Sequence, residues 1–250
     1  MRDILFGKAM TRFTTLLLAA AITVLAGCGD SSSITTTPNT TGAPTAATVQ
    51  LLVGSQQMLS SATANTTVTA VVLDANGQTM TGKTVTFAKG ADTTAYFSNV
   101  KASTDANGIA TATLNIGANM VNRDIAVSAT ADTAVGSNTV SVIGTKIAVS
   151  GNTSLAINAS GTLTISLKDS TGAAIPNVAL AVTSQNGNAI VLNPATGITD
   201  ATGQITATVT ATNAGTGTDV MTVTGGGAST TQTLSINSAN FTFTASATAR

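Results

Sequence analysis

Thr104 to Leu114 reads TDANGIATATL and Thr199 to Val209 reads TDATGQITATV, identical at seven of eleven positions at an offset of 95 residues. The same offset carries Asp74-Ala75-Asn76-Gly77 onto Asp169-Ser170-Thr171-Gly172, and Asp124 onto Asp219. Three landmarks at one spacing indicate a tandem duplication. Solenoid repeats run about 20–50 residues, whereas a period this long is that of whole domains in a row, each with its own core. The 250 residues are therefore expected to hold two modules, at 48–145 and 146–239.

Within each module apolar residues alternate instead of recurring at helical spacing. Thr67-Val68-Thr69-Ala70-Val71-Val72-Leu73 is β-branched and stops at Asp-Ala-Asn-Gly, a strand entering a turn. Lys83 to Phe87 alternates around Val85 and Phe87, Asp105-Ala106-Asn107-Gly108 is a second turn, and Ile109 to Ile116 follows as a strand. With strands at Gln50–Val53, Tyr96-Phe97, Asp124–Ala129 and Thr139–Ile143, the first module counts about seven. The second repeats the order through Ile147-Ala148-Val149, Leu163–Leu167, Val178–Val182, Ile190–Leu192, Ile205–Val209, Val220–Thr224 and Thr233–Ile236. Short strands with turn signals about every ten residues predict an all-β fold of two tandem Ig-like Greek-key β-sandwiches. Their cores are expected to rest on Val, Ile, Leu and Ala.

A strand ending in Asp-x-x-Gly, a VTF-like strand, then Thr-Asp-x-x-Gly-x-Ala-x-Ala-Thr-Leu resembles the bacterial Ig-like domain of the invasin/intimin type (group 1). Val68–Phe87 and Thr104–Leu114 carry the likeness in the first module. Leu163–Val182 and Thr199–Val209 carry it more loosely in the second, where Val182 replaces the aromatic. The resemblance covers roughly residues 48–240. It implies a surface-exposed sandwich used in tandem as a stalk or adhesion arm, and it supplies no catalytic residues.

The N-terminus reads as an export and anchoring signal. Arg2, Lys8 and Arg12 precede an uncharged, mostly apolar run from Phe13 to Ala26, too short for a spanning helix of about 20 residues. The run ends at Leu25-Ala26-Gly27-Cys28, similar to the lipobox of bacterial lipoproteins, with Cys28 the only cysteine in the chain. The resemblance implies cleavage before Cys28 and acylation there, a multi-chain anchor that holds to membrane stably where a single chain does not. Met10 offers a second start with a shorter basic region. In Gram-negative lipoproteins an Asp directly after the cysteine favours retention in the inner membrane. Gly29 stands there instead, so the expected location is the outer membrane, facing the periplasm or the cell surface. Residues 28–47 are Ser/Thr-rich with Pro38 and Pro44, and read as a disordered tether. Phe241-Thr242-Phe243-Thr244, within 240–250, reads as the start of a third module or an extra strand.

Composition removes several function classes. The chain has no His, Glu or Trp, and one cysteine, so it lacks an intrachain disulfide, a Cys/His zinc site and a Ser-His-Asp triad. Beyond residue 27 there are seven Lys/Arg against nine Asp, a net charge of −2, which is no footprint for nucleic acid. The turn aspartates Asp74, Asp105, Asp124, Asp169, Asp200 and Asp219 invite a calcium reading, since they recur between modules. Calcium wants six to eight oxygens from several carboxylates, whereas each turn here offers one Asp, and Asp also caps turns through its own backbone. Turn chemistry is the favoured reading. A glycosidase needs a pair of acids flanking a sugar, but no adjacent acid pair exists and the second module has no aromatic platform; no Gly-rich loop opens a helix either, so no catalysis and no cofactor are expected. Tyr96-Phe97, the one adjacent aromatic pair of the modules, either closes the core or lines a binding surface. The expected function is a lipid-anchored stalk or adhesion arm. The competing readings are a module that binds a specific protein or glycan, and a non-catalytic part of a larger secreted protein.

Overall fold

The computed structural model describes residues 43–212 and 217–238, and all their regular structure is β. The signal segment, the lipobox Leu25–Cys28, most of the tether and the Phe241–Thr244 segment lie outside these residues.

The first sandwich is built of β1 (Thr48–Val53), β2 (Gln57–Leu59), β3 (Asn65–Leu73), β4 (Thr86–Ala88), β5 (Tyr96–Lys101), β6 (Ile109–Asn115), β7 (Arg123–Ala131) and β8 (Ala134–Ile143). One sheet has the order β1-β3-β6-β5 and the other β2-β8-β7-β4. The second sandwich repeats this with β9 (Lys146–Gly151), β10 (Ser154–Ala156), β11 (Ser160–Lys168), β12 (Leu180–Ser184), β13 (Ala189–Asn193), β14 (Gln204–Thr210), β15 (Gly217–Gly225) and β16 (Ala228–Asn237). Its sheets are β9-β11-β14-β13 and β10-β16-β15-β12, the same order strand for strand.

Each sandwich has eight strands, one more than the sequence suggested. The additional strand arises because the first strand changes sheets. β1 pairs antiparallel with β3, then the chain crosses and β2 runs parallel to β8 for three residues. β9 and β10 do the same with β11 and β16. The tether also ends earlier than its composition suggested. Ala46 is buried at 4% exposure, and its N–H donates to Asp132 Oδ2 at 2.7 Å. The Ala47 N–H donates to the Leu73 carbonyl.

Alternation along β3 and β6 buries Val68, Ala70, Val72, Ala110, Ala112 and Leu114 while the threonines between them face out. The two cores are filled by side chains of different volume at matched positions. Strand pairing puts Ala70, Ala110 and Ala129 of the first module where Ile165, Ile205 and Val223 stand in the second. Phe87, opposite Ala129, packs against both halves of the first core and meets Phe97 at 5.8 Å between ring centroids. Val182 takes that position opposite Val223. At these positions an aromatic with small neighbours has been exchanged for branched aliphatics, in keeping with a second module without aromatics.

Register corrects one sequence correspondence. The loop between β14 and β15 is one residue shorter than that between β6 and β7, so the offset falls from 95 to 94 beyond it. Ile125 pairs with Val140, and Asp219 pairs with Leu234. Asp219 therefore occupies the inward position of Ile125 and is 0% exposed, while Asp124 faces out.

Candidate functional site

The turn aspartates behave as turn formers. Asp74 Oδ1 accepts the N–H groups of Asn76 and Gln78, and Asp105 Oδ1 those of Asn107 and Ile109. Asp169 Oδ1 takes the Thr171 and Ala173 N–H groups and the Thr171 hydroxyl, and Asp200 Oδ1 does the same with Thr202 and Gln204. One oxygen of each carboxylate is thus committed to its own loop. Among the described residues no three Asp side chains come together as a metal-holding group. Burial pushes the Asp169 carboxyl up, but the donors of Thr171, Ala173 and Gly172 outweigh it and hold it below the usual range. Asp200 is lowered by the Gln204 N–H and the Thr202 hydroxyl. The aromatic pair splits. Phe97 packs on the core, whereas Tyr96 is 52% exposed on the outer face of β5.

The arrangement that no sequence motif announced is the joint between the sandwiches. Only Gly144 and Thr145 separate β8 from β9. The loop between β6 and β7 ends in Met120-Val121-Asn122, and this segment enters the top of the second sandwich. Met120 and Val121 pack against the second core, and Met120 touches the first core as well. Ile175 and Val178 belong to the core that the loop packs against, and with Pro176, Asn177 and Gly226 they line an open cleft beside it. The Asn122 N–H donates to the Gly226 carbonyl at 3.0 Å, and Asn122 Nδ2 reaches the Gly227 and Thr145 carbonyls, each at 3.3 Å. The Thr145 N–H donates to Asn122 Oδ1 at 2.9 Å and its hydroxyl to the Met120 carbonyl at 2.6 Å. On the other side of the joint, the Ser170 N–H donates to Ser60 Oγ at 2.9 Å and its hydroxyl to the Ser60 carbonyl at 3.0 Å. Gly227, at φ 67°, permits the close approach, because a Cβ there would lie 2.2 Å from the Asn122 carbonyl oxygen.

Arg123 fixes the inserted loop from behind. Its Nε bonds Asp92 Oδ2 at 2.6 Å, Nη1 donates to the Asn119 and Val121 carbonyls, and Nη2 donates to the Ile116 carbonyl and Thr94 Oγ1. The pair is largely buried, at 15% and 8% side-chain exposure. Burial raises the Asp92 pKa, but the Ala95 N–H, the Arg123 guanidinium and the Thr94 donors win and hold it far below the usual carboxylate range. At the matching end of the second sandwich β15 opens with Gly217, and the buried acid sits on the strand itself. Asp219 accepts from the Ser184 hydroxyl and Asn188 Nδ2, each at 2.7 Å, and from the Asn186 N–H at 3.1 Å. Burial again opposes ionisation, and the donors of Ser184, Asn188, Asn186 and Val220 lower the pKa despite it. Every one of those groups donates, so the carboxylate is satisfied as an anion without a cation.

No family model and no curated protein matches the sequence. Among solved structures, the chain is similar to the adhesin InvE of Yersinia pseudotuberculosis, at 24% identity and a TM-score of 0.51, over 76% of this chain and 58% of that one. It is also similar to Yersinia pseudotuberculosis InvD, at 21% identity and a TM-score of 0.38, over 78% and 59%. The Escherichia coli adhesin FdeC matches at 17% identity and a TM-score of 0.38, over 78% and 66%. The matched region thus spans less than two thirds of each of these chains. The likeness to InvE bears on the fold alone, and it agrees with two Ig-like sandwiches in tandem.

Proposed function

We propose that the protein is a lipid-anchored envelope protein whose two Ig-like sandwiches form a stiff arm, a structural stalk or adhesion spacer without catalysis. The observation that carries this reading is the joint. A two-residue linker, an inserted apolar loop and hydrogen bonds on both of its sides remove the freedom that a flexible linker would leave. Tandem sandwiches of this fold occur in an adhesin, InvE, which agrees with such a role. In this reading the anchor is Cys28 behind Leu25-Ala26-Gly27, and Gly29, standing where an Asp would favour inner-membrane retention, agrees with the outer membrane. A protein- or glycan-binding role is the competing reading, and the exposed Tyr96 favours it.

Two measurements test the proposal. Gly227→Val drives a side chain into the Asn122 carbonyl and should free the joint. Small-angle X-ray scattering should then show a broadened distribution of intramolecular distances while far-UV circular dichroism keeps its β signature. An unchanged scattering profile would remove the joint as a source of stiffness. Cys28→Ala should move the protein from the membrane fraction to the soluble fraction, and retention in the membrane pellet would sink the anchor.

A further inference from the structure

Strands at sheet edges present unpaired N–H and C=O groups, and proteins guard them with charges, bulges or very short strands. The two sandwiches treat the same edge differently. In the first, β5 shifts register against β6 between Ser98 and Lys101, Asn99 takes a left-handed φ of 50°, and the strand ends on Lys101. In the second, β13 runs Ala189-Ile190-Val191-Leu192-Asn193 in unbroken register with β14, from Ala189↔Thr210 to Asn193↔Thr206. It carries no charge and no bulge. Ile190 and Leu192 pack on the core. Val191, in the position of Ser98, faces away and is 66% exposed, the highest value among the exposed large apolar residues described.

The strand is also held ready. The turn before it is tied to β15 and β12, since Asn188 Nδ2 donates to Asp219 at 2.7 Å and the Asn188 N–H donates to Ser184 Oγ at 2.8 Å. An edge already extended loses little conformational freedom when another strand joins it.

We infer that β13 is a strand-addition edge and that its occupant is β13 of a second copy of this chain, antiparallel about Val191. This pairing makes one eight-stranded sheet from two four-stranded ones. The strand is complementary to itself in that direction. Val191 meets Val191 of the second copy, Ile190 meets Leu192, and Ala189 meets Asn193, with no charge on either strand to repel. A charged guest strand would find no counter-charge on β13. Five residues per chain bury far less than the roughly 1,200 Å² of a stable interface, so the contact is a weak and reversible one.

Disulfide trapping in the full chain tests this, with Cys28→Ser removing the other thiol. Val191→Cys should form cross-linked dimers at least about tenfold faster than Ser98→Cys, its counterpart on the guarded edge, because directly opposed residues lie about 5 Å apart. In sedimentation, Val191→Lys should shift a concentration-dependent dimer to monomer with a nearly unchanged thermal midpoint, since Val191 is exposed. Equal cross-linking rates at the two positions overturn the inference. So does an unaltered chain that stays monomeric up to about 1 mM, the weak limit of specific contacts. A dimer that survives Val191→Lys assembles through another surface and also overturns it.

Discussion

Arg123→Ala is expected to lower stability by about 3 kcal/mol, because it leaves the largely buried Asp92 carboxylate without its cation. A loss of that size corresponds to a fall of about 12–20 °C in the thermal midpoint of a module this size. The effect should not stay local. The same guanidinium holds the Ile116, Asn119 and Val121 carbonyls, which shape the loop that enters the second sandwich, so the joint should loosen as well. Arg123→Lys keeps the charge but loses the fork, and should fall between the two. The acid dependence gives a separate readout. Asp92 has a folded pKa below its ordinary value of 3.8, so near and below that value the unfolded chain binds more protons than the folded one. Its contribution is full above about pH 5 and is lost as pH falls. In Arg123→Ala the carboxyl should titrate nearer its ordinary value, and stability should decline less steeply with acid. Chemical denaturation at several pH values checks both, and a variant with the parent's acid slope would show that Arg123 does not hold Asp92.

Asp219→Ala should be of similar size, about 3 kcal/mol, since it removes from a fully buried position the shared acceptor of the Ser184 hydroxyl, the Asn188 amide and the Asn186 N–H. Asp124→Ala is the control. Asp124 faces out and accepts one bond, from the Ser141 hydroxyl at 2.6 Å, so its loss should cost less than about 0.5 kcal/mol. Equal costs for the two substitutions would refute the register that places Asp219 where Ile125 stands. The network also ties β13 to β15 through Asn188, so amide exchange in Ala189–Asn193 should rise in Asp219→Ala before global unfolding does.

Much of this fold could be read along the chain because its signals are local. Asp105 and Asp200 cap turns through N–H groups two and four residues on, and alternation along β3, β6, β11 and β14 names the buried face. What escaped depends on pairings that local pattern does not encode. β2 and β10 have three residues each, too few to show a period, and exist because β8 and β16 are beside them. Arg123 and Asp92 are 31 residues apart. Asp219 looked like the counterpart of Asp124 because the two stand 95 residues apart, the offset of the other landmarks, and one residue missing from a loop turned it inward. The joint left one readable trace, the apolar pair Met120-Val121 between two asparagines, which no strand required.

The crossing of each first strand between sheets bears on how the arm responds to tension. Each sandwich receives the chain at one end and releases it at the other, and β2 lies parallel to β8 beside that exit. Pulling the ends apart therefore slides β2 along β8, and the bonds of the Gln57–Leu59 segment, with the Ser60 N–H to the Ile143 carbonyl, are strained together instead of being unzipped singly. β10 and β16 repeat the geometry, and Ser60 also bonds Ser170 across the joint, so a pull felt at one sandwich passes to the next through the same residue. Such a chain yields by shear, and its lifetime under force is set by an unfolding rate and not by its equilibrium stability.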